Sequence, residues 1–380
     1  MSSVEEFRAE IRAWLADHLV GEFAELRGRG GPGREHEAFE GRLAWERHMA
    51  AHGWTCFGWP VEHGGRGASL EEQIAFHEEY ALADAPARVN HIGEQLLGPT
   101  LIAFGTEEQK KRFLPPIVAV EELWCQGYSE PDAGSDLANV RTRGALSPDG
   151  SQWVVDGQKI WTSLAHEAQW CFVVARTEPG SRRHAGLSYL LVPLDRPGVE
   201  VRPIVQLTGT SEFNEVFFDG ARTDASHVVG EPGDGWRIAM ATLGFERGVS
   251  TLGQQVGFRR EWDALAELAR KNGAIADPLI RDRLVRAWID LEAMAASARR
   301  GIDPSVGKLH WAAWHRGLGE LAMDVCGAAS TVAAGEPYEL DDWQRLFLFS
   351  RADTIYAGSD EIQKNIVAER LLGLPKEARV

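Results

Sequence analysis

The hydrophobic pattern changes its period twice along this chain, and the change limits the folds that the chain can adopt. Up to about residue 120, apolar residues recur at helical spacing, as Ile11 and Leu15 do. From 121 to 228 the apolar runs are short and rich in β-branched and aromatic residues, which is typical of strands. The helical spacing then returns. The sequence therefore predicts an α+β fold with an N-terminal all-α domain (1–120), a middle, mainly antiparallel β-domain (121–228) and a C-terminal helical bundle (229–380).

Local signals add three expectations. Thr106 and Gln109 have the spacing of a capping box at a helix start. Turns within the β-domain are predicted at Asp149-Gly150, Asp156-Gly157 and Pro197-Gly198. The helix that opens the last domain is predicted to run without a break from Trp236 to about Lys271.

Composition argues against several kinds of partner. The net charge of −16 disfavours nucleic acid, which selects basic surfaces. No apolar run reaches transmembrane length and the first 19 residues carry charges throughout, so a cytoplasmic protein that binds no membrane is expected. The cysteines lack metal-ligand spacing, so we expect reduced, mostly packed thiols and no metal site. They are Cys56, Cys125, Cys171 and Cys326.

Two segments, Cys125–Asn139 and Lys159–Ser163, carry groups suited to a planar, hydrogen-bonding cofactor with an anionic tail. Ser129, Ser135 and Ser163 offer hydroxyls, Gly127 and Gly134 let the backbone approach a ligand closely, and Trp161 offers a flat aromatic face. A serine- and glycine-rich turn on its own is more often only a turn. The length of the first segment and the presence of the second favour a binding site.

The order Ser129-Glu-Pro-Asp-Ala-Gly-Ser-Asp136, followed by Trp161-Thr-Ser163, resembles the flavin cradle of the acyl-CoA dehydrogenase family. Further similar blocks at 59–67, 105–110 and 355–363 extend the resemblance over nearly the whole chain. It implies FAD-dependent α,β-dehydrogenation of an acyl-CoA thioester to the trans-2-enoyl-CoA, with flavin N5 accepting the β-hydride. It also implies an electron-transfer flavoprotein as the electron acceptor.

The resemblance implies a set of binding residues as well. Expected cofactor contacts are Gln126, Gly127, Tyr128, Ser129, Gly134, Ser135, Trp161, Thr162, Ser163, Ser359 and Glu361, and expected substrate contacts are Ser135, Arg247 and Tyr356. Two of these have a simpler interpretation. Trp161 alone would more often be a core residue, and Ser359 could simply cap the last helix.

The catalytic base is expected at an unusual position. In much of the family it is a glutamate that here corresponds to Ala357, and alanine cannot accept a proton. A minority of members carry the base on the helix that opens the C-terminal domain, where Glu246 matches. We therefore expect Glu246 to take the α-proton, although a solvated helix residue is the alternative. Ala357 can still donate its backbone N–H to the thioester oxygen, and its small side chain predicts a bulky or branched acyl group.

Two family elements that hold FAD across a subunit interface are altered. Asp324-Val-Cys-Gly-Ala328 stands where Gln-x-x-Gly-Gly is usual, and Arg270-Lys-Asn-Gly273 is a poor match for Arg-x-x-Phe-Gly. The chain is therefore most similar to the base-carrying subunits of actinobacterial α2β2 steroid side-chain acyl-CoA dehydrogenases, with a homotetramer as the alternative. A steroid side-chain CoA is the expected substrate. A flavin oxidase or monooxygenase and a non-catalytic subunit remain as other functional classes.

Overall fold

The computed structural model describes residues 2–245 and 250–376. The chain forms two compact units. The first, unit 1, comprises Met1–Phe76, Ala83–Gln206 and Thr210–Gly248, and the second, unit 2, comprises His77–Leu82, Leu207–Gly209 and Val249–Val380. None of the helices within the described ranges is long and apolar enough to cross a membrane.

The N-terminal region is helical, as its hydrophobic period predicts. Its α-helices are α1 (Ser2–His18), α2 (Phe39–Ala51), α3 (Leu70–Leu82), α4 (Gly98–Phe104) and α5 (Glu107–Val118). The capping box at the start of α5 is confirmed: Gln109 N donates to Thr106 Oγ1 at 3.2 Å, and Thr106 N donates to Gln109 Oε1 at 3.1 Å.

One eight-stranded sheet follows. Its strands are β1 (Trp124–Gly127), β2 (Arg143–Leu146), β3 (Gln152–Ser163), β4 (Trp170–Arg176), β5 (Leu187–Pro193), β6 (Val199–Ile204), β7 (Phe213–Asp224) and β8 (Val228–Val229). The spatial order is β6-β7-β3-β2-β4-β5-β8, with β1 beside β4. Most pairs are antiparallel, but β1 and β2 each run parallel to β4. The α+β prediction is confirmed, and the sheet is mixed rather than purely antiparallel.

Both faces of the sheet are covered. Along β4, Phe172 belongs to the apolar core that also contains Leu97 and Ile238, whereas the next residue, Val173, belongs to a second core with Trp153. Successive strand residues point to opposite faces, so β4 contributes to both cores in turn. This burial fixes the register of the strands that carry the candidate site.

The turn predicted at Asp156-Gly157 is wrong, because both residues lie inside β3. The register between β3 and β7 shifts between Val155 and Gly157, as at a β-bulge. Gly157 has φ 151°, and a Cβ there would lie 2.5 Å from Thr142 Oγ1. Glycine at a bulge carries the same local signal as glycine in a turn. The other two predicted turns are confirmed, with Gly150 at φ 69° and Gly198 at φ 87°.

The helical period after the sheet is also confirmed. The helices are α6 (Gly235–Phe245), α7 (Ser250–Lys271), α8 (Pro278–Arg299), α9 (Pro304–Cys326), α10 (Asp342–Phe349) and α11 (Asp360–Ile366). α7, α8 and α9 share a core that includes Leu265, Leu291 and Leu318. The unbroken helix expected from Trp236 to Lys271 crosses 246–249, which lie outside the described residues.

Candidate active site

A buried ion pair organises the serine- and glycine-rich segment. Lys159 on β3 lies 2.8 Å from Glu130 Oε1, and both side chains are almost fully buried. The same ammonium donates to the carbonyls of Tyr128 at 3.0 Å and Val174 at 2.8 Å. Glu130 also accepts from the backbone N–H of Thr142 at 2.9 Å. Lys159 therefore fastens the start of the segment to β3 and β4.

The ionisation of this pair follows from its surroundings. Burial alone would raise the pKa of the Glu130 carboxyl, but the Lys159 charge and the hydrogen bonds that the carboxyl accepts outweigh it, so the pKa is lowered. Burial lowers the pKa of Lys159, and Glu130 opposes that effect. A buried pair that keeps its hydrogen bonds stays charged, whereas losing one partner would leave a lone buried charge.

Backbone hydrogen bonds hold the turn that follows. Glu130 and Ala133 each donate an N–H to the carbonyl of the other at 3.0 Å, and Ile160 N donates to Ser129 O at 3.0 Å. Gly134 and Ser135 lie exposed on this turn. A Cβ on Gly134 would meet nothing within 4 Å, so the described chain leaves room there for a ligand.

Gly127 has a different reason for lacking a side chain. It ends β1, paired with Val173 of β4, and a Cβ there would lie 2.7 Å from Cys171 Sγ. Strand packing therefore requires glycine at this position whether or not a ligand approaches. Cys125 and Cys171 are buried free thiols, and Cys171 Sγ donates to the carbonyl of Phe172 at 3.8 Å.

Trp161 is mostly exposed, and its ring meets that of Phe213 edge-on with centroids 6.2 Å apart. Its side chain is 57% exposed, and its φ of 58° is unusual for a bulky aromatic residue. It lies where the register of β3 against β7 shifts between Lys159 and Thr162. Bulges near active sites often redirect a side chain, and strained backbone is retained where function uses it. The alternative that Trp161 is a core residue is wrong.

Two buried polar atoms of the same region lack a hydrogen-bond partner within the described chain. They are Gln126 Nε2 and Thr162 Oγ1. The cost of leaving such atoms unpaired is about 1–3 kcal/mol each, so a bound group that pairs with them is favoured. Ser129 and Ser163 are half-buried and Tyr128 is buried near them in sequence. These residues fit a flat cofactor with hydrogen-bonding atoms along its edge.

The predicted site residues of unit 2 lie on one short segment. Ala357 has φ 52°, and its backbone N–H makes no hydrogen bond to any described residue, so it can still donate to a ligand. Ser359 is the N-cap of α11, accepting from Ile362 N at 3.4 Å, which is the simpler role proposed for it. Glu361 is exposed in the first turn of α11.

A buried charged network holds this segment. His315 lies 2.6 Å from Asp353 Oδ2 and 3.0 Å from Glu261 Oε2. Burial alone would lower the pKa of His315, but Glu261 and Asp353 outweigh it and raise the pKa to about 10. Asp353 also accepts from Tyr356 OH at 2.6 Å, and its carbonyl accepts from Lys308 Nζ. The tyrosine expected at the substrate is thereby tied to α7 and α9.

Glu246 and Arg247 lie outside the described residues. Their assignments as base and substrate-contacting residue therefore stay predictions from the sequence.

Three family models match the chain in order. They describe the N-terminal domain (residues 2–121), the middle domain (125–221) and the C-terminal domain (233–372) of acyl-CoA dehydrogenases. The chain belongs to the acyl-CoA dehydrogenase family. It is an oxidoreductase of the class that acts on acyl-CoA, and members of this family are flavoproteins. The acyl-CoA dehydrogenase fold predicted from the sequence is confirmed.

Individual relatives cover the whole chain. Acyl-CoA dehydrogenase IpdE1 of Mycolicibacterium smegmatis is 66% identical over 100% of both chains. Among solved structures, the Tcur3481-Tcur3483 steroid ACAD has a TM-score of 0.83 at 30% identity, with 99% of each chain covered. The ChsE4-ChsE5 complex from Mycobacterium tuberculosis has a TM-score of 0.79 at 28% identity, again over 99% of each chain.

The sequence analysis missed the roles of Glu130 and Lys159. Both stand inside the segments that were singled out for their serines, glycines and tryptophan. A lysine within an apolar strand pattern is a signal in itself, since a buried lysine requires a counter-charge. Its partner could be sought among the acidic residues of the neighbouring segment.

Proposed function

We propose that this chain is the base-carrying subunit of a FAD-dependent acyl-CoA dehydrogenase that forms trans-2-enoyl-CoA from a bulky thioester. The flavin assignment is carried by one observation: within the described residues, the region anchored by Lys159 combines two buried polar atoms without a partner, Gln126 Nε2 and Thr162 Oγ1, with an exposed Trp161. Bound FAD would supply the acceptor for the β-hydride at its N5.

The cofactor-binding residues divide by chemistry. Gln126, Thr162 and Ser163 offer hydrogen bonds to a ring edge, and Trp161 offers an aromatic face. Ser135 and the open backbone at Gly134 suit a phosphate or pantetheine group. Further proposed contacts to the cofactor are Gly127, Tyr128, Ser129, Ser359 and Glu361.

Glu246 takes the α-proton in this proposal. The α-proton of a thioester is weakly acidic, so a carboxylate needs help from groups that stabilise the developing enolate oxygen. The backbone N–H of Ala357 makes no hydrogen bond to any described residue, which supports its role as one such donor. Arg247 and Tyr356 would hold the substrate, with Arg247 offering positive charge to the anionic CoA in a chain whose net charge is −16.

A steroid side-chain CoA is the proposed substrate. The support is twofold: alanine at the proposed substrate-contacting position 357 would leave more room for the acyl group than glutamate, and the similar solved structure Tcur3481-Tcur3483 is described as a steroid ACAD. An electron-transfer flavoprotein is the proposed acceptor, on the family resemblance alone.

A homologous second subunit is proposed as the partner. Both similar structures named above are complexes of two differently named chains. Asp324, where the family usually has glutamine, forms an exposed ion pair with Arg283. The pair partly compensates the carboxylate charge, but it also occupies an arginine that could otherwise face a phosphate. We call the two family elements that hold FAD across the subunit interface, here altered at 270–273 and 324–328, the clamp. A partner that supplies an intact clamp would complete the cofactor site.

Substitution of Glu246 tests the proposed chemistry. Glu246→Gln keeps the size of the side chain but cannot accept the proton, so FAD should stay bound while bleaching by substrate is lost. Glu71→Gln is the control, because Glu71 is an exposed glutamate in the first turn of α3 and is none of the proposed site residues. The measurement is the anaerobic absorption spectrum of the chain co-purified with its homologous subunit, recorded during titration with a steroid side-chain CoA thioester.

Each outcome has one meaning. Bleaching in the control and none in Glu246→Gln supports the base assignment, while full reduction of the Glu246→Gln flavin would refute it. Rapid reoxidation of the reduced wild-type flavin by air would favour an oxidase or monooxygenase. Normal flavin content without reduction by any acyl-CoA would favour a non-catalytic subunit.

A further inference from the structure

Three histidines from two helices of unit 1 lie together. His18 is in the last turn of α1, His48 is in the last turn of α2, and His52 is the C-cap residue of α2. One side-chain nitrogen from each lies within 4.8 Å of the other two. His18 Nδ1 and His48 Nε2 are 2.9 Å apart. The cluster brings His18 to a pair of histidines about thirty residues later in the chain, whereas no metal site was expected from the spacing of the cysteines.

The tautomer of His52 is fixed by its surroundings. Its Nδ1 lies 2.8 Å from the carbonyl oxygen of His48. A carbonyl can only accept, so Nδ1 carries a proton, and the tautomer of the neutral ring that makes this bond has its lone pair on Nε2. Histidines that bind metals characteristically donate their other ring N–H to a backbone carbonyl or carboxylate in this way. The contact between His18 and His48 likewise requires one of its two nitrogens to have a lone pair.

The C-terminal ends of α1 and α2 add an electrostatic potential that favours a cation at the histidine cluster. All three residues sit at helix C-termini, where unpaired carbonyls carry partial negative charge and favour a cation. His48 and His52 are four residues apart on one helix, a spacing that places two ligands on the same face. This pair was the signal available in the sequence.

Aromatic rings form one wall of the cluster. Trp14 stacks on His18, with ring centroids 4.7 Å apart and planes at 22°, and its ring also contacts those of His48 and His52 at 5.9 and 5.7 Å. His18 and His48 are half-buried, whereas His52 is exposed. Two ligands are thus held by packing while the third faces solvent, which gives an ion a route of entry.

We propose that His18, His48 and His52 form a binding site for a divalent transition-metal ion, with water completing the coordination. Imidazole nitrogens suit Zn²⁺, Ni²⁺ and Cu²⁺. Metal–nitrogen bonds of about 2.0–2.1 Å require ligand nitrogens about 2.9–3.4 Å apart, depending on the coordination geometry. The 2.9 Å separation of His18 and His48 lies at the short end of that range. A bound ion would join the end of α1 to the end of α2.

Ring stacking without metal binding is the competing interpretation, and titration calorimetry distinguishes the two. The full-length chain, purified without a histidine tag and together with any partner subunit that it needs, is titrated with ZnCl₂ and NiCl₂. One ion per chain should bind with a dissociation constant in the micromolar range or below. The ion should also raise the melting temperature, because it binds only the folded state.

Variants locate the ion. His52→Gln removes the exposed ligand with little effect on packing and should weaken binding at least about tenfold. His48→Gln should do the same. His36→Gln is the matched control, because His36 is an exposed histidine outside the cluster, and it should bind like the wild type.

Spectroscopy supplies a readout that is independent of catalysis. With CuCl₂, the electron paramagnetic resonance spectrum should show coupling to imidazole nitrogens in the wild type and fewer such nitrogens in His52→Gln. Absence of stoichiometric binding would overturn the proposal. So would binding that His52→Gln and His48→Gln leave unchanged, since the ion would then be elsewhere.

Discussion

At the scale of single residues, Lys159 joins separate parts of the candidate active site through its hydrogen bonds. Its ammonium contacts Glu130 and two backbone carbonyls, so its hydrogen bonds link β3 and β4 to the segment Cys125–Asn139. A buried lysine is costly unless every donor is used, and here all three are. The charge therefore determines where the predicted flavin contacts lie, although it is not itself expected to touch the flavin.

Removing Lys159 should destabilise the fold and the cofactor site together. Lys159→Met leaves the Glu130 carboxylate buried without its cation, and breaking such a pair costs about 3–5 kcal/mol in the free energy of unfolding. The measurement is urea unfolding combined with flavin content. Lys110→Met is a suitable control, because Lys110 pairs with a largely exposed carboxylate, Glu107, and should change stability little.

A second substitution tests the pairing itself. Lys159→Met combined with Glu130→Gln removes both charges, so the double variant should be less destabilised than the sum of the two single variants. Additive losses would mean that the two residues act independently.

At the scale of elements, the segment that leads to Ala357 depends on His315. The imidazolium bridges Glu261 of α7 and Asp353, and Asp353 in turn holds Tyr356. Helix packing alone does not fix an irregular segment, since its backbone has few repeating hydrogen bonds. The charged network supplies that constraint and makes it dependent on pH.

The raised pKa of His315 determines how the stability of the fold changes with pH. The pKa of His315 is raised from 6.5 to about 10, so its protonated form stabilises the fold fully below about pH 6.5 and that contribution is lost as the pH rises towards 10. Relative to His315→Gln, the wild type should lose on the order of a few kcal/mol across this range. Urea unfolding at several pH values measures it. His310→Gln, on the same helix, should keep the wild-type slope; equal slopes for wild type and His315→Gln would contradict the prediction.

The elements also show what sequence patterns could predict. The helical regions follow from periodicity, because burial of one face imposes a period on the sequence, whereas the strands β3 to β7 follow from their runs of β-branched and aromatic residues. The strands β1, β2 and β8 have only four, four and two residues, too few to show a period. Asp156-Gly157 was assigned to a turn because glycine at a bulge gives the same signal. The pairing of Glu130 with Lys159 joins separate segments, which no local pattern reveals.

At the scale of the whole molecule, the binding of FAD distinguishes a homo-oligomer of this chain from a complex with a homologous subunit. The segments Cys125–Asn139 and Lys159–Ser163 of unit 1 contain the hydrogen-bonding residues that the family pattern predicts. The clamp positions of unit 2 are altered at 270–273 and 324–328. A carboxylate in place of an amide is unfavourable near a pyrophosphate. The chain therefore has one part of a cofactor site that matches the family pattern and another that does not.

The lone chain should accordingly purify with little flavin, and co-expression with a homologous subunit should give a yellow complex with stoichiometric FAD. Flavin absorbance and light scattering measure content and assembly. Asp324→Gln provides the sharper test, because it restores the usual amide and releases Arg283 from its ion pair. The variant should retain more FAD than the wild-type lone chain. A wild-type lone chain that is already yellow and is bleached by substrate would instead establish a homo-oligomeric dehydrogenase, and the altered clamp would then be tolerated rather than compensated by a partner.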